Sequence, residues 1–172
     1  MSFKPDLSKL KSVKPSAASR GIRAVRSFRP ESLWVFHYDG SGCDGCNAEY
    51  LDCLSPAWDI ERLAVRNTGN PAYADVLLVT GLIDGDNADE LTQIYDQLPK
   101  GSKVIAAGAC ACTGGLFSEC RGIMAGADSI IPIDIYTAGC AARPEAFIDA
   151  IMMAKEQIEK EAELQEDADD EE

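Results

Sequence analysis

Cysteine is the residue type in this 172-residue sequence with the clearest capacity for chemistry. Cys43 and Cys46 are separated by two residues and lie beside Gly42 and Gly45. A Cys-x2-Cys pair lets two thiolates meet one metal centre. This pair alone is compatible with zinc, with a redox dithiol or with an iron-sulfur cluster.

Two later cysteines lie in glycine-rich segments of the same kind. Cys110 follows Gly108, and Cys140 follows Gly139. Backbone that wraps a cluster must approach it closely and point N–H groups at its sulfurs, and glycine allows this without steric cost. We therefore predict that four cysteines hold one iron-sulfur cluster: Cys43, Cys46, Cys110 and Cys140. The predicted glycine cradle consists of Gly42, Gly45, Gly108 and Gly139.

The remaining thiols and the single histidine leave several alternatives open. Cys112 lies two residues from Cys110 and could replace it as a ligand, or the two could form the second pair of a four-thiolate structural zinc module. Cys53 and Cys120 fall in predicted helices, where free cysteine packs as a small buried hydrophobe. His37 lies in an apolar stretch and is predicted to be a core or edge side chain, although a Cys-His hydrolase would have to use it.

Predicted strands precede each cysteine segment. Apolar runs predict strands at residues 33–38, 76–79, 103–107 and 130–136. Helical spacing and start signals predict helices at residues 47–54, 88–98, 115–120 and 144–160, the second with a capping box formed by Asn87 and Glu90. Alternating strands and helices predict an α/β, flavodoxin-like parallel sheet with helices on both faces. Ligands of such sheets bind beyond the carboxyl ends of the strands, so the cluster is expected at that edge. An FMN site is disfavoured because cysteines occupy its phosphate loop.

Charge divides the chain into three parts. Residues 1–30 form a basic arm, residues 31–155 the cluster domain, and residues 156–172 an acidic tail predicted to be disordered. The arm is interpreted either as solvated or as lying across a partner subunit or an anionic membrane. A net charge of −13 argues against nucleic-acid binding. No apolar run is long enough to span a bilayer and no signal peptide is evident, so a cytoplasmic location is predicted.

The cysteine segments resemble those of one family, which joins the small subunit of nickel-iron hydrogenases to the quinone-proximal iron-sulfur subunit of respiratory complex I. Its pattern is a cysteine pair followed by Glu, then Gly-x-Cys with Gly-Gly, then Gly-Cys before Pro-Glu. The matching residues lie within about residues 34–151 and are Cys43, Cys46, Glu49, Gly108, Cys110, Gly114, Gly115, Gly139, Cys140, Pro144 and Glu145. Ala141-Ala142 departs from the Pro-Pro that family members often carry.

The spacing of the first pair separates the two branches of the family. Complex I subunits carry adjacent cysteines there, whereas hydrogenase subunits separate them by two residues, as Cys43 and Cys46 are separated here. The sequence therefore resembles the small, iron-sulfur subunit of membrane-bound, energy-converting nickel-iron hydrogenases.

The resemblance implies an electron-transfer subunit with the proximal 4Fe-4S cluster, which is not catalytic by itself. Its implied partners are a large subunit with a nickel-iron site, a ferredoxin-like iron-sulfur subunit and membrane subunits, with the chain peripheral on the cytoplasmic face of the cell membrane. Glu49 is implied in proton transfer near the large subunit, with a structural acid in the first helical turn as the alternative. A subunit of a complex I-like quinone- or ferredoxin-oxidoreductase is the second functional expectation.

Overall fold

A five-stranded parallel sheet forms the centre of the chain in the computed structural model, which describes residues 32–169 and the side chains of residues 32–162. The strand order is β2-β1-β3-β4-β5, and every neighbouring pair is parallel. This is the order of flavodoxin-like folds, so the predicted fold class is confirmed. The strands are β1 Leu33–Asp39, β2 Val65–Asn67, β3 Val76–Thr80, β4 Lys103–Ala107 and β5 Ile135–Thr137.

Helices cover both faces of the sheet. They are α1 Gly45–Cys53, α2 Ala88–Gln97, α3 Gly108–Thr113 and α4 Pro144–Asp169. The side chains of β3 show why both faces are filled. Val76 and Leu78 pack in the core beneath α1 and α4, and Leu77 and Val79 pack in the core beneath α2 and α3. A strand buried on both faces is continuously apolar, which made β3 predictable.

The last helix begins at Pro144, as predicted, and continues to Asp169, beyond Lys160, where the sequence predicts fraying. Glu161 of this extension forms an ion pair with Lys103 at the start of β4. The extension is also rich in Ala, Glu, Gln and Leu, which favour helix. The basic arm at residues 1–30 and the end of the acidic tail at residues 170–172 lie outside the described residues, and the three-part division of the chain stays a prediction.

Two elements differ from the prediction in the second half of the chain. The helix expected over residues 115–120 forms only as a short 3-10 helix, Gly115–Phe117, because left-handed backbone at Gly114 and Gly115 interrupts the chain after α3. The strand expected over residues 130–136 is restricted to β5, and Pro132 lies outside it. Pro132 cannot donate a sheet hydrogen bond, which agrees with its exclusion.

The predicted capping box at the start of α2 is also wrong. Asn87 does not cap the helix with its side chain. Its Oδ1 instead accepts a hydrogen bond from the Asp84 N–H at 2.8 Å, and its Nδ2 donates to the Leu82 carbonyl at 3.1 Å. Asn87 therefore fixes the turn between β3 and α2.

Candidate metal centre

The carboxyl ends of β1, β4 and β5 bring together the three cysteine segments. Cys43 lies two residues before α1 and Cys46 lies in its first turn, Cys110 lies in α3, and Cys140 follows β5. The second and third segments are joined by a hydrogen bond of 2.8 Å from the Ala109 N–H to the Gly139 carbonyl. The four cysteines of the sequence prediction therefore lie at one edge of the sheet.

The pKa values of two of these thiols, Cys46 and Cys110, are raised, and the nearby cysteines contribute to both shifts. Burial is the main cause that raises the pKa of Cys46, and the negative charge of Cys140 and Cys43 adds to it, while a hydrogen bond from the Ala142 backbone N–H acts in the opposite direction. Burial also raises the pKa of Cys110, again with contributions from the other three cysteines. A raised pKa favours the protonated form of these two thiols, and metal binding to cysteine releases such protons.

Gly108 is the glycine that the site most clearly requires. Its φ of +85° is a left-handed value, and a Cβ added there would overlap the sulfur of Cys46. Gly139 also has positive φ, +145°, and a Cβ there would lie 2.6 Å from Ala142 Cα. Both positions fit a cradle that approaches a bound group closely.

The two glycines of the first segment contribute differently. Gly45 does not have positive φ and is the first residue of α1, where a Cβ would touch the Cys43 sulfur at 3.5 Å. At Gly42, which has φ of +144°, a Cβ would meet only the Leu82 nitrogen, at 4.0 Å. Gly42 therefore allows the turn of the loop without a close approach to a cysteine.

Among the described side chains, those of residues 32–162, no group of three or more His, Cys, Asp or Glu residues is placed to hold a single metal ion. Thiolates bound to one zinc at about 2.3 Å lie within about 4 Å of one another. In a 4Fe-4S cluster four cysteines serve four irons, so the sulfurs stand further apart. Four cysteines in three glycine-rich segments at one edge of the sheet are a donor set that fits a 4Fe-4S cluster.

The three other cysteines have structural or exposed positions. The Cys112 thiol donates to the carbonyls of Ala106, at 3.3 Å, and Thr137, at 3.6 Å, between the ends of β4 and β5. Cys53 is fully buried, as predicted, and burial raises its pKa to about 11. Cys120 is exposed and lies outside the helices, so its predicted burial is wrong because the helix expected around it does not form.

Glu49 lies in the second turn of α1 and is half-buried. Its position excludes the first-turn role that was the structural alternative, because α1 has no acidic residue in its first turn. Among the described side chains, its carboxylate has no hydrogen-bond or ion-pair partner.

The loop that carries Cys43 is fastened to the loop after β3. Backbone hydrogen bonds join Ser41 and Leu82 in both directions, at 3.0 and 2.5 Å. The Ser41 hydroxyl donates to Asp84 Oδ2 at 2.9 Å. Asp84 accepts further hydrogen bonds from the backbone N–H groups of Asp86 and Asn87. This fastening positions the first cysteine relative to the sheet.

Sequence reasoning missed a polar group behind the site. His37 hydrogen-bonds to Thr80 Oγ1 at 2.8 Å, and Thr80 Oγ1 donates to Asp39 Oδ1 at the same distance. The ring of His37 packs on Tyr50, with centroids 4.6 Å apart. His37 is therefore a half-buried residue bonded within the sheet, as predicted, and it is not paired with a cysteine. Thr80 and Asp39, which end neighbouring strands, were the signal that could have revealed this group.

Comparison with known proteins identifies the family. Residues 43–154 match the family model described as NADH ubiquinone oxidoreductase, 20 Kd subunit. The chain belongs to this 20 Kd subunit family. The resemblance predicted from the cysteine segments is thereby confirmed, and the chain is a member of a family of oxidoreductase subunits.

Relatives come from both branches of the 20 Kd subunit family. A probable membrane-bound hydrogenase subunit, mbhJ, of Pyrococcus furiosus is 39% identical over 81% of this chain and 83% of the relative. An NADH-quinone oxidoreductase subunit of Rubrobacter xylanophilus is 38% identical over 79% of this chain, but this match spans only 53% of that relative.

Solved structures agree with the family assignment. A chain of the archaeal membrane-bound sulfane sulfur reductase, described as a respiratory membrane complex, superposes with a TM-score of 0.66 at 30% identity, covering 80% of this chain and 76% of that chain. The [NiFeSe]-hydrogenase of Dm. baculatum superposes with a TM-score of 0.56 at 18% identity, covering 77% and 65% of the two chains, which supports the fold. Among residues 32–169, no helix combines the length and apolar character needed to span a membrane.

Proposed function

We propose that this chain is the electron-transfer subunit that carries the proximal 4Fe-4S cluster of a membrane-associated, energy-converting nickel-iron hydrogenase. The observation that carries the proposal is the convergence of Cys43, Cys46, Cys110 and Cys140 at one sheet edge, with the first pair in the hydrogenase spacing. The 39% identity to the P. furiosus hydrogenase subunit supports the same branch.

The cysteine set has a clear division of roles in this proposal. Cys43, Cys46, Cys110 and Cys140 are the cluster ligands, and a bound cluster supplies one-electron transfer. Cys112 is not a ligand in this proposal, which is supported by the hydrogen bonds that its thiol donates to the carbonyls of Ala106 and Thr137. Gly108 leaves the space that the Cys46 sulfur needs. The Ala142 N–H, which donates to that sulfur, stabilises negative charge there and so tunes the potential.

The open side of the site is the proposed surface for the large subunit. Cys43 and Cys140 are exposed, and Leu116 is 91% exposed. The turn that carries Leu116 lies against the cysteine segment, since a Cβ at Gly115 would be 3.4 Å from the Cys110 nitrogen. The neighbouring Phe117 is 42% exposed, and adjacent exposed apolar side chains beside a proposed redox centre favour a protein interface. Burial by a partner would also remove the cluster from water.

Glu49 is the proposed proton-transfer residue at this interface. It is half-buried and lies one helical turn after Cys46, and its carboxylate has no hydrogen-bond or ion-pair partner among the described side chains. The remaining proposed partners are a ferredoxin-like iron-sulfur subunit and membrane subunits. They would hold the chain on the cytoplasmic face of the cell membrane.

A complex I-like quinone- or ferredoxin-oxidoreductase is the second candidate. The similarity to a quinone oxidoreductase subunit and to a chain of a sulfane sulfur reductase complex favours it. It keeps the same cluster and changes the large subunit. The spacing of Cys43 and Cys46 remains the feature that favours the hydrogenase.

Anaerobic purification of the native complex through a tag on this chain tests both candidates. Iron, nickel and partner identity are measured in one sample. About one nickel per complex, with a large subunit that carries nickel-ligating cysteine pairs, supports the hydrogenase. Iron with membrane partners but without nickel moves the chain to the second candidate, and zinc without iron overturns the cluster.

A further inference from the structure

The last helix ends at the edge of the sheet opposite the cysteines. α4 begins at Pro144, four residues after Cys140, and runs back toward the amino ends of the strands. There Glu161 forms an ion pair with Lys103, the first residue of β4. Residues 162–169 continue the helix past this ion pair by about 12 Å. The end of α4 therefore projects beyond the amino edge of the sheet.

The basic arm enters the domain at the same edge. β1, the strand that follows the arm, begins at Leu33. Val35 of this strand is in register with Val76 of β3, and Val76 is in register with Lys103 of β4. Lys103 therefore lies two strands away from β1, a distance of about 10 Å. The Leu33 side chain also belongs to the core that α4 covers. The chain thus passes from the arm into the sheet a short distance from the end of α4.

The charges of the arm and of the end of α4 are complementary. Residues 1–30 carry eight lysines and arginines against one aspartate, a net charge of +7. Residues 155–172 carry ten acids against two lysines, a net charge of −8. The part of the arm directly before β1 has an arginine at every third position, at Arg20, Arg23, Arg26 and Arg29. Two segments of opposite and nearly equal charge thus adjoin one edge of the sheet.

The acidic part of α4 carries more negative charge than the nearby lysines balance. Glu156 pairs with Lys160 at 3.8 Å, and Glu161 pairs with Lys103. Glu159 is exposed, and the last turn of the helix contains no basic residue. The C-terminal end of a helix carries partial negative charge, so acids there are unfavourable unless a cation offsets them. Helical structure that continues through so many acids favours a cationic segment beside it.

We propose that residues 1–30 of this chain bind along the acidic part of α4, residues 156–169. Arg29 is four residues before Leu33, a reach of at most about 14 Å, so the arginines can meet α4 without crossing the sheet. The acidic part is about 20 Å long, which ten extended residues can follow. Attachment through β1 holds the arm at a high effective concentration beside α4, an advantage that the arm of a second copy lacks. The contact lies opposite the cysteine site and does not depend on a bound cluster.

Carbodiimide cross-linking of the intact purified complex, with its tag removed, tests the contact. This reagent joins the amine of a lysine to a carboxylate that is paired with it. We expect links from Lys9, Lys11 or Lys14 to acids within residues 156–172, found by mass spectrometry in a band with the mass of one chain. Arm links that reach only other subunits overturn the proposal. A band of twice the mass of this chain, with the arm linked to α4 of a second copy, also overturns it.

Tryptic cleavage at the four arginines measures how strongly α4 protects the arm. Glu159→Gln, Glu163→Gln and Glu166→Gln, combined in one variant, remove three charges at helical spacing and keep good helix formers. At about 50 mM salt the arm should be cleaved at least tenfold faster in this variant than in the wild type. At about 0.5 M salt the two rates should converge, because salt screens the attraction in both. Equal rates at low salt overturn the proposal.

A second triple variant, Asp86→Asn, Asp89→Asn and Glu119→Gln, is the matched control. All three acids are exposed, and Asp86 and Asp89 follow the carboxyl end of β3. The segment that carries Glu119 is joined to the same loop by a hydrogen bond from the Gly85 N–H to the Gly122 carbonyl. The control therefore loses the same charge far from the arm and should be cleaved at the wild-type rate. Equal acceleration in the two variants overturns the assignment to α4.

A membrane is the remaining occupant for the arm, and vesicles of phosphatidylcholine and phosphatidylserine distinguish it. The detergent-purified wild type should be protected from trypsin at low salt without vesicles. An arm that is cleaved rapidly without vesicles and protected only when they are added belongs on an anionic membrane, which overturns the proposal. The proposed function is unaffected by either result, since iron and nickel content do not depend on where the arm lies.

Discussion

The Cβ that alanine would add at Gly108 overlaps the sulfur of Cys46. Gly108→Ala must therefore displace a proposed cluster ligand, in addition to about 1–2 kcal/mol for left-handed backbone. We expect this variant to lose at least half of its iron, measured per chain in the purified complex.

Gly101→Ala is the matched control. Gly101 has a similar φ of +80°, and a Cβ there meets nothing within 4 Å. The control has the same backbone strain but should keep its iron. Full iron content in Gly108→Ala would show that the site does not need the close approach.

Serine substitution tests which of Cys110 and Cys112 is a cluster ligand. Cys110→Ser should lose the spectrum of the intact cluster. Cys112→Ser should keep it, because that thiol donates to the carbonyls of Ala106 and Thr137 and a hydroxyl can do the same. The cluster in both variants is measured by iron content and by electron paramagnetic resonance. The reverse pattern would assign Cys112 as the ligand.

Glu49→Gln should keep the cluster and slow turnover that needs protons, by about 10²-fold or more if Glu49 transfers the proton. The carboxylate has no hydrogen-bond or ion-pair partner among the described side chains, so the amide disturbs no such contact there. Asp52→Asn is the control on the same helix, where the acid is exposed and accepts from Trp58 Nε1 at 2.9 Å. Hydrogen evolution by the two complexes is compared at equal iron content. Full activity in Glu49→Gln would leave Glu49 without a role in proton transfer.

The stability of the loop after β1 should depend on pH through the ionisation of Asp84. Burial opposes ionisation, but hydrogen bonds from Asn87, Ser41 and Asp86 hold the pKa of Asp84 below its ordinary value of 3.8. A lowered pKa stabilises the folded loop above that value, and the stabilisation is lost as the pH falls through the lower, folded-state pKa. Asp84→Asn should therefore speed hydrogen exchange of the Ser41 backbone N–H. This acceleration should be largest at neutral pH, where Asp84 is ionised in the wild type.

The comparison is made as a ratio of exchange rates between variant and wild type at each pH. The ratio should approach one as the pH falls below about 4. Asp86→Asn serves as the control, since Asp86 contributes its backbone N–H to the network. A ratio that does not change with pH would show that the charge of Asp84 does not stabilise the loop.

Leu116→Asp should weaken association with the large subunit. The side chain is 91% exposed beside the cysteine site, and burying a leucine in an interface contributes about 1.5–3 kcal/mol. Recovery of the large subunit through the tagged chain should fall by at least tenfold. Met153→Asp on α4, where the methionine is 53% exposed, is the control, and equal recovery in both variants would place the interface elsewhere.

The sheet was predictable where burial on both faces produces continuous apolar runs, as in β3 and β4. β2 was missed because an edge strand of three residues, with Arg66 and Asn67 exposed, carries almost no pattern. The helix expected after Gly115 failed for a different reason. Helical composition around Cys120 could not reveal that two left-handed glycines, Gly114 and Gly115, had already turned the chain.

The candidate site was predictable because its four cysteines stand in short segments that follow strands. Side-chain direction was not predictable. The sequence favours Cys110 as the ligand and leaves Cys112 as an alternative, but it could not predict that the Cys112 thiol donates to carbonyls at the ends of β4 and β5. The bond between His37 and Thr80 joins residues that are far apart in the sequence, so it required the pairing of β1 with β3.

The position of β5 sets when the four cysteines can meet as the chain is made. Cys43, Cys46 and Cys110 leave the ribosome first, but Cys140 follows β5, which pairs with β4 at the edge of the sheet. Cys140 can join the other three only after β5 has been made and has paired with β4. A nascent chain thus presents three of the four thiols until that strand forms, so a group that needs all four is not fully held before then.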